Sequence, residues 1–188
     1  MIPQRKPNRL KNFNYSSVGY YYVTICTKNR ECWFGEIVDG EMILNEIGNI
    51  VQKCWFQIPQ HYQNVSLDEF IVMPNHIHGI IIINKTSSIN VGTIHELSLR
   101  NKAIFNWKQR RKMLLPKIIG FFKMNSSKTI HQLGINSFQY QRSFYDHIIR
   151  NEQSLNEIRK YIQGNPINWD NDKNNFDRIR SVPANSVF

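Results

Sequence analysis

The sequence predicts an α+β fold with a ferredoxin-like βαββαβ core, in which an antiparallel sheet has helices on one face. Strand-like and helical segments follow one another without strict alternation, which argues against a parallel sheet of βα units. Hydrophobic residues make up 41% of the 188 residues and aromatic residues 12%, enough for one packed core. We therefore expect one domain over residues 18–170, a basic arm over residues 1–17 and a polar tail over residues 171–188.

The first strand and a hairpin insertion come early in this domain. Residues 20–28, YYYVTICTK, are rich in aromatic and β-branched side chains and predict a strand. In residues 34–44, FGEIVDGEMIL, Asp39 and Gly40 separate two short alternating runs, which is the pattern of a tight hairpin.

A helix and two paired strands follow the hairpin. Apolar residues recur at helical spacing after Asn45, which is suited to the N-cap, and they predict a helix to about His61. Residues 64–75 and 76–84 each predict a strand, and their closeness in the chain predicts antiparallel pairing.

The next segments are less regular. Residues 85–112 have no clean period and predict a loop or a loosely packed insertion. Pro116 suits the first turn of a helix, which we expect over residues 115–133. Residues 137–149 predict a strand followed by irregular chain.

The last predicted helix precedes an Asn-Pro pair. Ser154 and Glu157 have the spacing of a capping box at its start, and it is expected to end near Gly164. Leu155, Ile158 and Ile162 form its apolar stripe.

The charge balance points to a polyanionic partner. Lys and Arg number 24 against 14 Asp and Glu, a net charge of +10, so nucleic acid is the first candidate and a membrane surface the second. A run of about 18 apolar residues is absent and the start, MIPQRKPNRLKN, lacks the apolar core of a signal peptide, so we expect a cytoplasmic protein. Three cysteines without CxxC spacing argue against a disulfide framework and a cysteine zinc site.

Two histidines stand out at the start of the strand HIHGIIIIN. His76 and His78 are two residues apart, so their side chains lie on one face of a strand with stems about 7 Å apart. Two imidazoles at that separation can converge on one cation. A pair of polar residues on a half-solvated sheet face would give the same pattern. A cupin-like site would need a nearby glutamate, and a histidine-triad hydrolase would need a third histidine where Ile80 stands.

A tyrosine and an amide share one face of the last helix. Tyr161 and Asn165 are four residues apart, at the edge of the apolar stripe. Taken alone, Tyr161 could equally be a core-edge aromatic residue with its hydroxyl in water.

Two stretches together carry a family resemblance. FIVMPNHIHGIIIIN, residues 70–84, and QYQRSFYDHIIRNEQSLNEIRKYIQGNP, residues 139–166, closely resemble the REP-associated tyrosine transposases, a branch of the HUH endonucleases. The resemblance covers most of residues 18–170, and Tyr140 departs from it where relatives often have Trp.

The resemblance implies an activity and its residues. It implies single-stranded DNA cleavage and rejoining, as in DNA transposition and recombination, on palindromic hairpin DNA. Tyr161 would be the nucleophile, and His76, His78 and Asn165 would hold a divalent metal, Mg or Mn. Tyr145 is the less favoured nucleophile because it lacks an amide partner at helical spacing.

Basic segments supply the expected DNA contacts. Cations that neutralise phosphates, with aromatic rings that stack on bases, are typical of single-strand binding. A solvated basic loop would share the pattern. The predicted contacts are Arg5, Lys6, Arg9, Lys11, Arg100, Lys102, Trp107, Lys108, Arg110, Arg111 and Lys112.

Two other functions remain open at this point. A DNA-binding protein of transposase descent that no longer cuts would bind without forming a covalent adduct. A metal-dependent phosphoesterase that uses water would retain activity without Tyr161. The oligomeric state stays open between monomer and homodimer.

Overall fold

The computed structural model describes residue 10, residues 12–85 and residues 106–175. Within this part of the chain there are six strands and five α-helices. The strands are β1 (Gly19–Cys26), β2 (Gly35–Val38), β3 (Glu41–Leu44), β4 (Val65–Met73), β5 (His76–Ile83) and β6 (Tyr145–Ile149). The helices are α1 (Glu46–Phe56), α2 (Ile58–His61), α3 (Trp107–Arg111), α4 (Leu114–Gln132) and α5 (Glu152–Gln163).

The predicted core is confirmed. Four strands form an antiparallel sheet in the order β4-β5-β1-β6, and the chain passes through them as β1-α1-β4-β5-α4-β6. This is the βαββαβ arrangement of a ferredoxin-like fold. The β2–β3 hairpin pairs only with itself and is the expected insertion.

The main core lies between the sheet and α1 with α4. Trp55 and Phe122 are fully buried there against the odd-numbered side of β5. Gly79 leaves the space that the Trp55 ring fills, since a Cβ at Gly79 would lie 2.4 Å from Trp55 Cζ2. This close packing fixes which residues of β5 face the core, so His76 and His78 face the other side.

The opposite face of the sheet is covered by α5. Leu155 and Ile162 of α5 pack against Tyr22, Ile80 and Ile149. The predicted placement of helices on one face therefore holds for α1 and α4 but not for α5. The reason is that β1 and β5 carry apolar residues on both faces near their centres, and the apolar stripe of α5 buries the second set.

An ion pair at a bulge in β4 links α5 to the sheet. The β4–β5 register shifts between Leu67 and Phe70, which leaves Asp68 and Glu69 out of regular pairing. Arg159 of α5 donates two hydrogen bonds to Asp68, at 2.8 Å and 2.5 Å.

Several local predictions need correction. The N-cap of α5 is Asn151, whose side chain accepts from the Ser154 backbone N–H, so the Ser154–Glu157 capping box is wrong. Within residues 137–149 the order is irregular chain first and strand β6 last. The segment taken as a loop ends in α3, which Asn106 caps.

The packed region extends beyond residues 18–170 on both sides. Tyr15 is 1% exposed and belongs to the main core. At the other end, Asn174 and Asn175 are buried. None of the helices in the described ranges is long and apolar enough to span a bilayer.

Candidate active site

Two buried imidazoles form the centre of the site. His76 and His78 are 0% and 1% exposed, and their Nε2 atoms lie 2.9 Å apart. The β1–β5 register places Cys26 opposite His76 and Thr24 opposite His78, next to the end of β1. The predicted convergence of the pair on one point is therefore observed.

Asn75 sets the proton position on His76. Its Nδ2 donates to the Arg30 and Asn174 carbonyls, at 2.9 Å and 2.8 Å. Its Oδ1 must then be the atom 2.8 Å from His76 Nδ1, and an oxygen acceptor requires a proton on that nitrogen. In the neutral ring, Nε2 is left with a free lone pair directed at His78.

The second imidazole has adaptable partners. His78 Nδ1 lies 2.7 Å from the Tyr22 hydroxyl and 3.0 Å from Thr24 Oγ1. A hydroxyl can donate or accept, so these partners tolerate either tautomer of His78. The tautomer with Nδ1–H would leave a second Nε2 lone pair beside the first.

Both imidazoles are neutral at physiological pH. Burial, followed by the positive charges of Arg30 and Lys173, lowers the pKa of His76 to about 3. Burial and the neighbouring His76 hold the pKa of His78 well below its ordinary value. Neutral imidazoles are the form that binds metal ions.

A carboxylate completes this group. Asp172 Oδ2 lies 3.8 Å from His76 Nε2, and the ligand atoms of His76, His78 and Asp172 lie within 4.8 Å of one another. The group could hold a metal ion. Sequence reasoning missed Asp172 because it assigned residues 171–188 to a polar tail. The available signal was an acidic residue seven positions after Asn165 in an otherwise Asn-rich stretch, NWDNDKNN.

Tyr161 projects from α5 beside the histidines. Its ring centroid lies 5.3 Å from that of His78, and the side chain is 45% exposed. Burial raises the pKa of Tyr161, while hydrogen bonding to Asn165 and to Tyr22 acts in the opposite direction. The group is therefore a neutral phenol at pH 7 with access to solvent.

Asn165 lies two residues beyond the end of α5, so it is not on the face of the helix that the sequence predicted it to share with Tyr161. Its side chain is 3% exposed, and its Oδ1 accepts no hydrogen bond from the part of the chain that the structure describes. Leaving a buried carbonyl oxygen without a partner costs about 1–3 kcal/mol. A cation would relieve that cost, which suits the predicted role of Asn165 as a metal ligand.

Comparison of the sequence with known proteins identifies a relative. No protein-family model matches it. It is 40% identical over 172 residues to an uncharacterized protein of Haemophilus influenzae, covering 92% of this chain and 93% of the relative. The chain belongs to the same family as this Haemophilus protein.

Comparison with solved structures finds transposases of similar fold. A REP-associated tyrosine transposase bound to a REP hairpin superposes with a TM-score of 0.53 at 15% identity, covering 90% of this chain and 74% of the transposase. A candidate transposase from Deinococcus radiodurans R1 gives a TM-score of 0.44 at 14% identity, over 78% of this chain and 90% of that one. The chain has the fold of the REP-associated tyrosine transposases. The fold that the sequence resemblance implied is thereby confirmed.

The candidate site opens into a cavity of about 460 Å³. Tyr161 and His78 line it, together with Tyr145 and the cations Arg30 and Lys173. Tyr145 is 53% exposed and had been predicted only as the less favoured nucleophile. The sequence on either side of Tyr145 gives no signal that would have predicted its position in the cavity.

The predicted DNA contacts are only partly described. Arg5, Lys6, Arg9, Lys11, Arg100 and Lys102, and the side chain of Trp107, lie outside the described residues. Lys108, Arg111 and Lys112 are exposed on or next to α3, and Arg110 is half-buried. None of these four lines the cavity at Tyr161. Their contact with DNA stays a prediction.

Proposed function

We propose that the protein is a metal-dependent single-strand DNA endonuclease and strand transferase that acts through a 5′-phosphotyrosine intermediate, as a transposase of hairpin DNA. The observation that supports this most is the position of Tyr161. A half-exposed phenol lies beside the buried, neutral imidazole of His78 in one cavity, and His78 in turn lies against the buried imidazole of His76, on a transposase fold. A nucleophile next to a cation site is the arrangement that phosphoryl transfer requires.

A divalent cation fits the donor set of this chain. His76, His78 and Asp172 offer two nitrogens and a carboxylate, and Asn165 offers a buried oxygen without a partner. When bound, Mg²⁺ or Mn²⁺ would polarise the scissile phosphate and neutralise the charge that develops on it. Imidazole ligands favour Mn²⁺ over the harder Mg²⁺.

The protein's own residues account for the bond changes. The Tyr161 oxygen attacks the phosphorus, an O–P bond to Tyr161 forms, and the bond from phosphorus to the 3′ oxygen of the preceding nucleotide breaks. The phenolic proton leaves to solvent through the exposed side of the ring, and the released 3′ oxygen takes up a proton. Because the phosphotyrosine keeps the ester, a 3′ hydroxyl can reverse the step at another strand without ATP.

The raised pKa of Tyr161 sets a requirement on this step. A buried phenol is a weak nucleophile, so charge near the oxygen must favour the phenolate when the phosphate is bound. Hydrogen bonding to Asn165 and Tyr22 acts in that direction. Arg30 and Lys173 line the same cavity and would offset the phosphate charge.

Single-stranded hairpin DNA is the substrate that suits this site. The net charge of +10 attracts any nucleic acid and so does not choose among them. Tyr161 approaches a phosphate from within a concave cavity, and a stacked duplex would hold its phosphates away. A relative of the same fold has been solved with a REP hairpin bound.

The test is a denaturing gel of protein with a labelled hairpin library and Mn²⁺. We expect a covalent adduct with the wild type and none with Tyr161→Phe, because only the hydroxyl is removed. The matched control is Tyr145→Phe, which removes another tyrosine hydroxyl from the lining of the same cavity and should leave the adduct intact.

Each other outcome contradicts a specific part of the proposal. An adduct that persists in Tyr161→Phe but disappears in Tyr145→Phe would transfer the nucleophile to Tyr145. Cleavage without any adduct would indicate a water-using phosphoesterase. Hairpin binding with neither product would indicate a protein that no longer cuts.

A further inference from the structure

Tyr22 of β1 lies between the imidazole pair and Tyr161 of α5. The alternation of β1 places Tyr22 and Thr24 on the face of the sheet that carries His78. The Tyr22 hydroxyl is 2.7 Å from His78 Nδ1, and its ring meets the Tyr161 ring edge-to-face with centroids 6.3 Å apart. The side chain of Tyr22 is also a hydrogen-bonding partner of Tyr161. Tyr22 is only 8% exposed, so these protein groups determine where its single proton points.

The Tyr22 hydroxyl has two acceptors within reach and one proton to donate. It can donate to His78 Nδ1 or to the Tyr161 oxygen, but not to both. The neighbouring Thr24 hydroxyl is 3.0 Å from the same nitrogen, which is a longer contact than that of Tyr22, and it donates to the Tyr22 oxygen at 3.3 Å. The tautomer of His78 therefore decides which group receives the Tyr22 proton.

In the absence of a cation, the contact between the two imidazoles determines this tautomer. His76 Nε2 carries a lone pair because the proton of that ring is on Nδ1, against Asn75 Oδ1. His78 Nε2 lies 2.9 Å from His76 Nε2, and two lone pairs at that distance would repel each other. His78 Nε2 must then carry the proton, which makes Nδ1 an acceptor. The Tyr22 proton points to Nδ1 and is not available to Tyr161.

Cation binding at this group requires the other tautomer of His78. Both Nε2 atoms must then present lone pairs, so the single proton of the neutral His78 ring has to be on Nδ1. One N–H bond breaks at Nε2 and one forms at Nδ1, so the ring gains and loses no charge. Nδ1–H now donates to the Tyr22 oxygen, which leaves the Tyr22 proton free to turn toward Tyr161.

We infer that Tyr22 is a positioning residue, whose hydroxyl donates to the attacking oxygen of Tyr161 only when His78 is in the metal-binding tautomer. The inference rests on the proposed function and adds to it a link between the cation site and the nucleophile. Without that tautomer, the Tyr161 oxygen lacks one of the donors that hold it for attack. A protein that has not bound its cation would therefore also have a less well oriented nucleophile.

The first measurement is the tautomer of His78, determined from long-range ¹H–¹⁵N spectra of the ring nitrogens at neutral pH. Zn²⁺ is the probe because it is diamagnetic and binds imidazole nitrogens. We expect the proton on Nε2 in chelator and on Nδ1 at saturating Zn²⁺. Loss of the signals in His78→Ala assigns them. The same tautomer under both conditions would overturn the inference.

The second measurement is single-turnover adduct formation with Mn²⁺ at saturating hairpin. Tyr22→Phe keeps the ring that packs against α5 and removes the hydroxyl, so adduct formation should slow by about tenfold to 100-fold with hairpin affinity unchanged. The matched control is Tyr20→Phe. It removes a hydroxyl from the same face of β1, outside the lining of the cavity, and should leave the rate unchanged.

Thr24→Val separates the two contacts of Tyr22. Tyr22→Phe and Thr24→Val each remove a hydroxyl from His78 Nδ1, so calorimetry should show similar losses of Mn²⁺ affinity. Only Tyr22→Phe removes the donor to Tyr161, so at saturating Mn²⁺ its rate should be about tenfold below that of Thr24→Val. Equal rates in these two variants would overturn the inference, because the Tyr22 hydroxyl would then act through His78 alone.

Failure of the proposed function gives a different result. If the wild type forms no adduct, the nuclease assignment fails, whichever tautomer His78 adopts. If the adduct forms and Tyr22→Phe reacts as fast as Tyr20→Phe, only the role of Tyr22 fails.

Discussion

The two halves of the active site are built in opposite ways. The strand-borne half, His76 and His78, is fully buried in a sheet whose register and neighbouring side chains leave little freedom. The helix-borne half, Tyr161, is 45% exposed and belongs to a helix that covers only the second face of the sheet. In the proposed mechanism the strand-borne half is preorganised for a cation, and the helix-borne half stays open to the DNA strand.

This difference indicates which half of the site tolerates substitutions. Hydrogen bonds from Asn75, Tyr22 and Thr24 orient the imidazoles, so any loss there disturbs several partners at once. Tyr161 depends mainly on the position of α5. That position rests on a small apolar cluster and on the Asp68–Arg159 ion pair at the β4 bulge.

The largest effect should come from the strand half. We expect His78→Ala to lower cleavage by at least about 100-fold while hairpin binding is kept, since it removes a nitrogen from the His76–His78–Asp172 group. Chelator should have the same effect on the wild type, and Mn²⁺ should support cleavage at least as well as Mg²⁺. Single-turnover cleavage and calorimetric Mn²⁺ binding measure the two properties. Full cleavage activity in excess chelator would show that cleavage does not depend on a metal ion held by this group.

The same half predicts a pH dependence of stability. In chelator, the folded-state pKa of His76 is about 3 against 6.5 in its unfolded reference. The unfolded chain therefore binds protons first as the pH falls below about 6.5, and the free energy of unfolding decreases between there and pH 3. Urea titrations of wild type and His76→Ala would compare the slopes, and equal slopes would contradict this reading.

An intermediate effect should come from the attachment of the helix half. Asp68→Ala removes the partner of Arg159, so α5 should shift and slow adduct formation by between about tenfold and 100-fold, with affinity for the hairpin unchanged. Asp68→Asn keeps one accepting oxygen and should restore part of the rate. Glu157→Ala removes a carboxylate from the exposed side of the same helix and serves as the control. A rate equal to that of this control would show that the ion pair does not position Tyr161.

The smallest effect should come from Tyr145, the other exposed tyrosine that lines the cavity. Tyr145→Phe should change adduct formation by less than about twofold, since its ring remains. Tyr145→Ala should weaken binding by about 1–3 kcal/mol if the exposed ring stacks on a base. Anisotropy on the same hairpin measures both variants. A larger loss with Phe than with Ala would contradict a stacking role.

Parts of the fold and site that follow a local period were predictable from the sequence. The two-residue period of β5 predicted that His76 and His78 share one face, and the spacing of Leu155, Ile158 and Ile162 predicted the buried face of α5. Asp172 was not predictable, because it reaches His76 through an irregular segment after the last helix. The placement of α5 on the second face also escaped prediction, since an apolar stripe shows that a helix is buried but not which side of the sheet it covers.

The order of the site residues along the chain has a consequence for synthesis. His76 and His78 are synthesised early, and the sheet around them is complete once β6 has been added. Asp172, which lies beside His76, and Asn174, which accepts a hydrogen bond from Asn75, come after the last helix of the chain that the structure describes. A nascent chain that has folded its sheet on the ribosome would still lack the carboxylate beside His76. The proposed metal group would therefore be completed only after the segment that follows α5 has emerged, and fragments that stop before Asp172 would lack its carboxylate.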